Sequence, residues 1–198
     1  GPATTAVASM EAAASAGQIL IGPQTAAALP TGAVGDPLGP GYLLRWRRPH
    51  ADPGQAGLRA LDDREVSRFV PTALRAVLSA GDPESEHRTV GVSFVRFTGI
   101  DTLLEQQGHQ ATADALHTLV CAAQDCADTE GVTFLASDLA EDGGKIILVA
   151  GFPTTADDDQ GRLLRASRRI VTDSLAQTWP LGVRAGLNRG HVFAGAIG

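Results

Sequence analysis

The sequence predicts an α+β domain, with helices packed on a largely antiparallel sheet. Two observations carry this reading. Residues 89–198 read in order as β-α-α-β-β-α-β, and their middle strands, "VTFLAS" and "KIILVAG", flank an acidic, glycine-bearing turn, "DLAEDGG", which signals a hairpin. Residues 1–48 add α-β-β to the same alternation.

The elements follow in chain order. "GPATTAVASMEAAASAG" places Val7, Met10 and Ala14 on one helical face, with Gly17 as a stop signal. "QILIG" is a short apolar strand, "PTGAVGDPLGPG" is rich in turn residues, and "YLLRW" is another strand. "PHADPGQAG" has the composition of a linker. In "LDDREVSRFVPTALRAVL" the apolar positions Leu61, Val66, Phe69, Val70, Leu74, Val77 and Leu78 recur at helical spacing, so an amphipathic helix stepped at Pro71 is expected. "SAGDPESEH" is a polar hinge.

Beyond it, "TVGVSFV" alternates, with Val90, Val92 and Phe94 on one face. "DTLLEQQG" is a short helix with Asp101 as its cap. "HQATADALHTLVCAAQDCAD" is a longer helix with a stripe of Ala115, Leu119, Ala122 and Cys126. "DDDQGRLLRASRRIVTDSLAQ" is a helix capped by its aspartates, which also suit the helix dipole. "LGVRAGLNRGHVFAGAIG" reads as strand, turn and short strand. Leu20, Ile21, Val92, Phe94, Ile147 and Val149 are expected to be buried in one sheet core common to both blocks.

Composition narrows the function. An apolar fraction of 43% and a charged fraction of 19% in 198 residues fit a soluble globular protein of about one domain. A net charge of −6 gives no electrostatic support to a nucleic-acid partner. No apolar run reaches membrane-spanning length and no basic-then-apolar leader opens the chain, so no membrane partner and a cytoplasmic location are expected. Cys121 and Cys126 lie five apart, match no redox or zinc spacing, and read as two reduced buried thiols. The five histidines are scattered, and no metal site is expected.

Residues 89–198 resemble the first two-thirds of a class III nucleotide cyclase catalytic domain. The resemblance rests on the strand ending before "FTGI", the hairpin followed by "GFP", and "GVRAGLNRGHVFAGAIG", which is similar to the family's glycine-rich segment. "GPATTAVASMEAAASAGQILIG" resembles a helix-strand segment from the last third of such a domain. The resemblance therefore implies that residues 1–48 are the C-terminal part of a first cyclase-homology domain, 49–88 a helical linker, and 89–198 the N-terminal part of a second. The implied fold is a ferredoxin-like cyclase-homology sandwich, completed in permuted order or by exchange between chains.

The same resemblance implies the chemistry to look for. In that family two aspartates of one domain hold two metal ions on the nucleoside triphosphate, and an asparagine and an arginine of the partner domain orient the ribose and stabilise developing charge. The first metal-aspartate position matches Arg96 and the second matches Lys145. The asparagine and arginine positions match Thr5 and Ser9. All four are substituted, so no catalytic residue is assigned to this chain. No cofactor is expected in it, and magnesium or manganese only in an intact active pair. Arg96, Lys145, Thr98 and Gly99 become candidate contacts for a nucleotide or small anion. On the residues alone, Arg96 also reads as a solvated strand-end arginine and Lys145 as a surface charge in a glycine turn.

Three functions stay open at this point. One is a degenerate, regulatory part of a tandem adenylate cyclase, acting in cyclic nucleotide signalling. Another is a segment of an active adenylate cyclase whose catalytic residues lie outside this chain. The third is a structural dimerisation module. The expected partner is a cyclase-homology domain of the same or another copy, and the chain is expected to form homo-oligomers.

Overall fold

The computed structural model describes residues 1–45, 70–79, 86–176 and 179–194. The chain divides into two compact units, Gly1–Ala60 with Leu139–Asp142, and Leu61–Asp138 with Gly143–Gly198. Trp46 of the predicted strand "YLLRW", the linker, the hinge at 80–85, the first part of the predicted 61–78 helix and residues 195–198 lie outside the described residues.

In the first unit, α1 (Pro2–Ala13) is followed by β1 (Leu20–Ile21), α2 (Pro23–Ala27), a 3₁₀ turn (Thr31–Ala33), β2 (Val34–Leu38) and β3 (Gly41–Leu44). Both α-helices open on proline, whose missing N–H is not needed in a first turn. The strands form an antiparallel sheet in the order β1-β3-β2. The turn-rich stretch thus contains a strand, β2, whose register shifts between Val34 and Pro37. Gly41 permits the close β1–β3 approach, because a Cβ there would sit 2.7 Å from the Ile21 carbonyl oxygen and 3.0 Å from Met10 Sδ. Two helix details differ from expectation. Val7 is exposed while Met10 and Ala14 are half-buried, and α1 ends at Ala13, before Gly17, whose φ of 83° belongs to the following turn.

The second unit holds α3 (Thr72–Ser79), β4 (Glu86–Thr98), α4 (Ile100–Glu130), β5 (Thr133–Ala140), β6 (Gly143–Ala150), α5 (Asp159–Ala176) and β7 (Gly182–Ala194). Its four strands lie in the order β5-β6-β4-β7. From β4 to β7 this is the βαββαβ arrangement of a ferredoxin-like fold, as the α+β reading requires. The strands of residues 1–45 and 86–194 make two separate sheets, which corrects the expectation of one sheet core common to both blocks.

Both long helices of this unit cover one face of the sheet. Leu119, Ala123, Cys126 and Ala127 of α4 and Leu163, Ala166 and Ile170 of α5 form one core with Val95, Phe97, Ile146, Leu148 and Ala150. Each fully buried large side chain here, such as Leu119, Ile146, Leu148 and Ile170, contributes roughly 1.5–3 kcal/mol. The core face of β4 is therefore Gly91, Ser93, Val95 and Phe97. Of the expected core residues, Ile21 and Val149 are buried, Leu20, Val92 and Ile147 are half-buried, and Phe94 is 50% exposed. The reason is that both faces of β4 carry apolar residues, so period-two alternation finds the faces without telling which one the helices cover. The stripe on α4 is likewise displaced: Ala123 is buried where Ala122 was expected.

Gly108, at φ 82° and ψ −178°, divides α4 into the two predicted helices. Its cap is Gly99 (φ 101°), not Asp101, which lies in the first turn and suits the dipole from there. Asp158 does cap α5, its Oδ1 accepting from the Gly161 N–H at 3.2 Å. β7 is one continuous strand, paired from Gly182↔Thr98 to Ala194↔Glu86, and not strand-turn-strand. Gly186 and Gly190 sit within this ladder with open space where a Cβ would go, so long pairing with β4 prevails over their turn preference.

One buried polar contact ties sheet to helix: Ser167 Oγ donates to Ser93 Oγ at 2.8 Å, and both residues are essentially unexposed. Removing one hydroxyl strands the other in the core. Ser93→Ala or Ser167→Ala should each cost about 1–3 kcal/mol in urea unfolding, while the double alanine variant should lose less than the sum. Strict additivity would show that the two hydroxyls are not coupled.

Candidate functional site

The face of the four-stranded sheet opposite the two long helices is built from the even positions of β4, of which Val90 is buried, Val92, Arg96 and Thr98 are half-buried and Phe94 is exposed. Residues opposite one another in an antiparallel ladder point to the same face. Arg96 pairs with Lys145 on β6 and with Arg184 on β7, so three cationic residues stand in one row across three strands. The two predicted positions, Arg96 and Lys145, are thus direct cross-strand neighbours. Arg184 is a third member that the sequence reading missed. Its signal lies in the β4–β7 register, which a single strand does not reveal.

The rows on either side frame this one. Toward the N-terminus of β4 lies Ile147–Phe94–Gly186, and toward its C-terminus Gly143–Thr98–Gly182. Lys145 Nζ sits 5.7 Å from the centre of the Phe94 ring, a cation–π contact that lays the side chain over the sheet. The same ammonium is 2.9 Å from Asp138 Oδ2 on β5. The pair is partly exposed, so it gives little stability. Thr98 is flanked by glycines: a Cβ on Gly182 would sit 3.2 Å from Thr98 Oγ1, and one on Gly143 would collide with the Phe97 carbonyl oxygen at 2.1 Å. The glycines at these two positions thus permit a close approach of backbone and side chain around Thr98, and Gly99 beyond it starts α4.

Thr5 and Ser9 lie on α1 in the first unit, both half-buried. Within that unit Thr5 Oγ1 accepts from the Asp142 N–H at 3.0 Å. Among the described residues no group of three or more histidine, cysteine or acidic side chains could hold a metal ion. The residues at the two aligned positions do not fit a divalent cation either, since neither a guanidinium nor an ammonium offers a lone pair to it.

Other polar features serve the fold. Arg88 Nη1 donates to the carbonyl oxygens of Gly151 and Pro153, and the guanidinium also pairs with Glu86. Asp159, almost fully buried, accepts from Arg162 Nη2 at 2.5 Å. Arg165, hydrogen-bonded to Asp158, holds the Asp158 carboxyl below its ordinary range. A concavity of about 490 Å³ lies among α3, the end of α4 and β5, lined by Arg75, Gln124, Asp125, Asp128 and Phe134 among others; it includes no residue of the cationic row. Cys121 is half-buried and Cys126 buried, and both are free thiols. Burial pushes the Cys126 thiol above its ordinary value, opposed by Arg169 and aided by Asp173, Asp125 and Glu130. No helix among the described residues is long and apolar enough to cross a membrane.

No protein-family profile matches the chain, and no curated protein matches it. Solved structures do. The chain is similar to a bacterial light-regulated adenylyl cyclase, with a TM-score of 0.55 and 16% identity over 68% of this chain and 41% of that one. It is also similar to the adenylyl cyclase CyaB from P. aeruginosa (TM-score 0.49, 22% identity, 59% and 63% of the two chains). A third is a dimeric guanylyl cyclase domain of the RhoGC fusion protein from the aquatic fungus Blastocladiella emersonii (TM-score 0.48, 22% identity, 58% and 64%). The chain spans less than two thirds of each of these. The likeness to the first shows a shared fold: antiparallel sheet and helices arranged as in a cyclase domain.

Two measurable consequences follow from the electrostatics. Like charges opposite each other on a sheet are destabilising, so Arg184→Glu, which sets a carboxylate opposite Arg96, should stabilise the protein by roughly 0.2–1 kcal/mol. The gain in urea midpoint should shrink in high salt; a loss of stability would mean the three side chains do not share a face. The raised Cys126 thiol keeps its proton in the folded state where the unfolded thiol, at its ordinary 9.0, releases it. Its contribution is thus fully present below that value and is lost as the pH rises from there through the raised value of the folded state. In the native protein Cys121 should react with a disulfide reagent well before Cys126, and equal rates would contradict the burial.

Proposed function

We propose that the chain is a non-catalytic, regulatory part of a tandem class III adenylate cyclase, located in the cytoplasm and acting in cyclic nucleotide signalling. The observation that carries this reading is the pairing of Arg96 with Lys145 across β4 and β6. By the resemblance, these are the two positions where an active domain holds its metal aspartates. Anionic oxygen ligands are what two-metal phosphoryl chemistry needs, and two cations there repel the ions instead. A unit charge about 4 Å from a like charge costs about 1 kcal/mol in water and about four times that at a protein surface, and a divalent ion doubles it. Thr5 and Ser9, at the positions given to the asparagine and arginine, supply neither an amide nor a guanidinium for the ribose and the developing charge. The tail-then-head order of the two blocks fits the pocket of a tandem pair that lacks the working halves.

The purified chain, given ATP or GTP with magnesium or manganese, should form no cyclic nucleotide above a protein-free control. Metal-dependent product that persists in Arg96→Ala would overturn both the reading and the alignment beneath it. The chain should also self-associate through its cyclase-like unit. Light scattering at high micromolar concentration should give a mass above that of one chain, and a strictly monomeric mass would count against this partner assignment.

A further inference from the structure

We propose that the concavity between β5 and α3 is a docking slot for a basic, extended peptide segment of a partner protein, which adds to the sheet as a further strand along β5. The slot shares no residue with the Arg96 row, and the inference does not depend on the non-catalytic reading. The starting observation is how the strand meets the cavity. Phe134, Leu135, Ala136 and Ser137 all line it, four residues in succession. Successive side chains of a strand point to opposite faces, so a cavity touched by all four meets the strand along its edge. β5 is an outermost strand of the four-stranded sheet. Such edges are ordinarily defended by a charge, a proline or a covering element. None of the four residues is charged or a proline, and Leu135 is 40% exposed. The start of α3 stands across from the edge and leaves a space of about 490 Å³ before it. One residue of an added strand fills about 160 Å³, from a rise of about 3.3 Å, a strand spacing of about 4.8 Å and a sheet thickness of about 10 Å, so the space takes about three residues.

The charges select the occupant. Asp125 and Asp128 of α4 line the same concavity, and among the described residues neither carboxylate is held in an ion pair. Three positions apart on one helix, they have Cβ atoms about 5–6 Å from each other. Residues two apart in an extended strand point to one face and lie about 6.6 Å apart. A segment of the pattern basic-x-basic therefore presents one cation to each carboxylate, on the face of the sheet that α4 covers. Phe134 packs against the core on that face, so Leu135 points to the other, where it meets the intervening residue of the segment. Arg75, on the opposite wall, donates from Nε to the Val70 carbonyl oxygen at 2.9 Å and so braces its own segment. The other edge of the sheet is unsuited to the same occupant, because β7 carries Arg184 and Arg189 and no acidic residue.

The test is fluorescence anisotropy of a labelled peptide, Ser-Val-Lys-Val-Lys-Val-Ser with both ends blocked, titrated with the full chain at low salt. Two altered peptides separate the contributions. One carries glutamate in place of both lysines; the other carries proline in place of the central valine, which keeps the charge and removes a backbone N–H. Each should bind at least about ten-fold more weakly than the parent. Asp125→Asn combined with Asp128→Asn should weaken the parent peptide by about ten-fold or more, through loss of two charge-assisted contacts. Both residues are exposed, so the core is untouched. Glu11→Gln combined with Glu105→Gln is the control, removing two exposed carboxylates that lie outside the slot. On binding, hydrogen exchange should slow at alternate amides of residues 134–137 and stay unchanged along β7. Equal weakening by the two double variants would reduce the effect to diffuse charge and overturn the slot. Undiminished binding of the proline peptide would overturn strand addition. Equally tight binding of the glutamate peptide, protection along β7 instead of β5, or no binding of the parent peptide at millimolar concentration would each overturn the proposal as well.

Discussion

The backbone ladder of β4 governs the second unit. From Gly91 to Thr98 this strand is paired on both sides, with β6 and with β7, so every row across three strands is set by its register. A slip of one residue would turn Val95 and Phe97 toward solvent and carry Arg96 into the core between α4 and α5. Burying an unpaired guanidinium there costs several kcal/mol, far more than a lost backbone bond, so the outward arginine itself enforces the register. The same ladder that packs the core thus lines up the three cations. Ser93 adds a local lock, since only in this register can its hydroxyl meet Ser167 on α5.

Much of the fold was legible because its signals are local. The acidic turn before Gly143, the break at Gly108 and the aspartate cap of α5 each depend on a few adjacent residues, and each appears where the sequence placed it. The errors arose where tertiary pairing decides. "VGVSFVRF" is apolar on both faces, and the polar Ser93 made its own face look like the solvent side. That serine is inside because a second serine on a helix 74 positions away satisfies it. Gly186 and Gly190 suggested a turn, yet pairing with β4 kept β7 extended through both.

The site shows the same division. Arg96 and Lys145 could be singled out only through the family resemblance, because a lone arginine at a strand exit and a lone lysine after two glycines carry no chemistry of their own. Their adjacency is a product of register. Arg184 sits 88 positions from Arg96 and belongs to a strand with little burial to mark its faces, so neither periodicity nor motif pointed to it.

A row of three like charges is tolerated because of where it lies. The opposite face of the same strands carries the core, in which Leu119, Ile146, Leu148 and Ile170 are fully buried and each contributes a few kcal/mol. Against this, repulsion between cross-strand cations amounts to a fraction of that for each pair, and Asp138 offsets part of it at the lysine. Stability alone would favour a carboxylate at position 184, which would turn one repulsive pair into an attractive one without disturbing a core contact. Here the conflict is confined to one row, on the face away from both helices, between an aromatic row and a row of glycines. That confinement separates the charge of the row from the energetics of the core, so variants of the row can be made without removing a core contact.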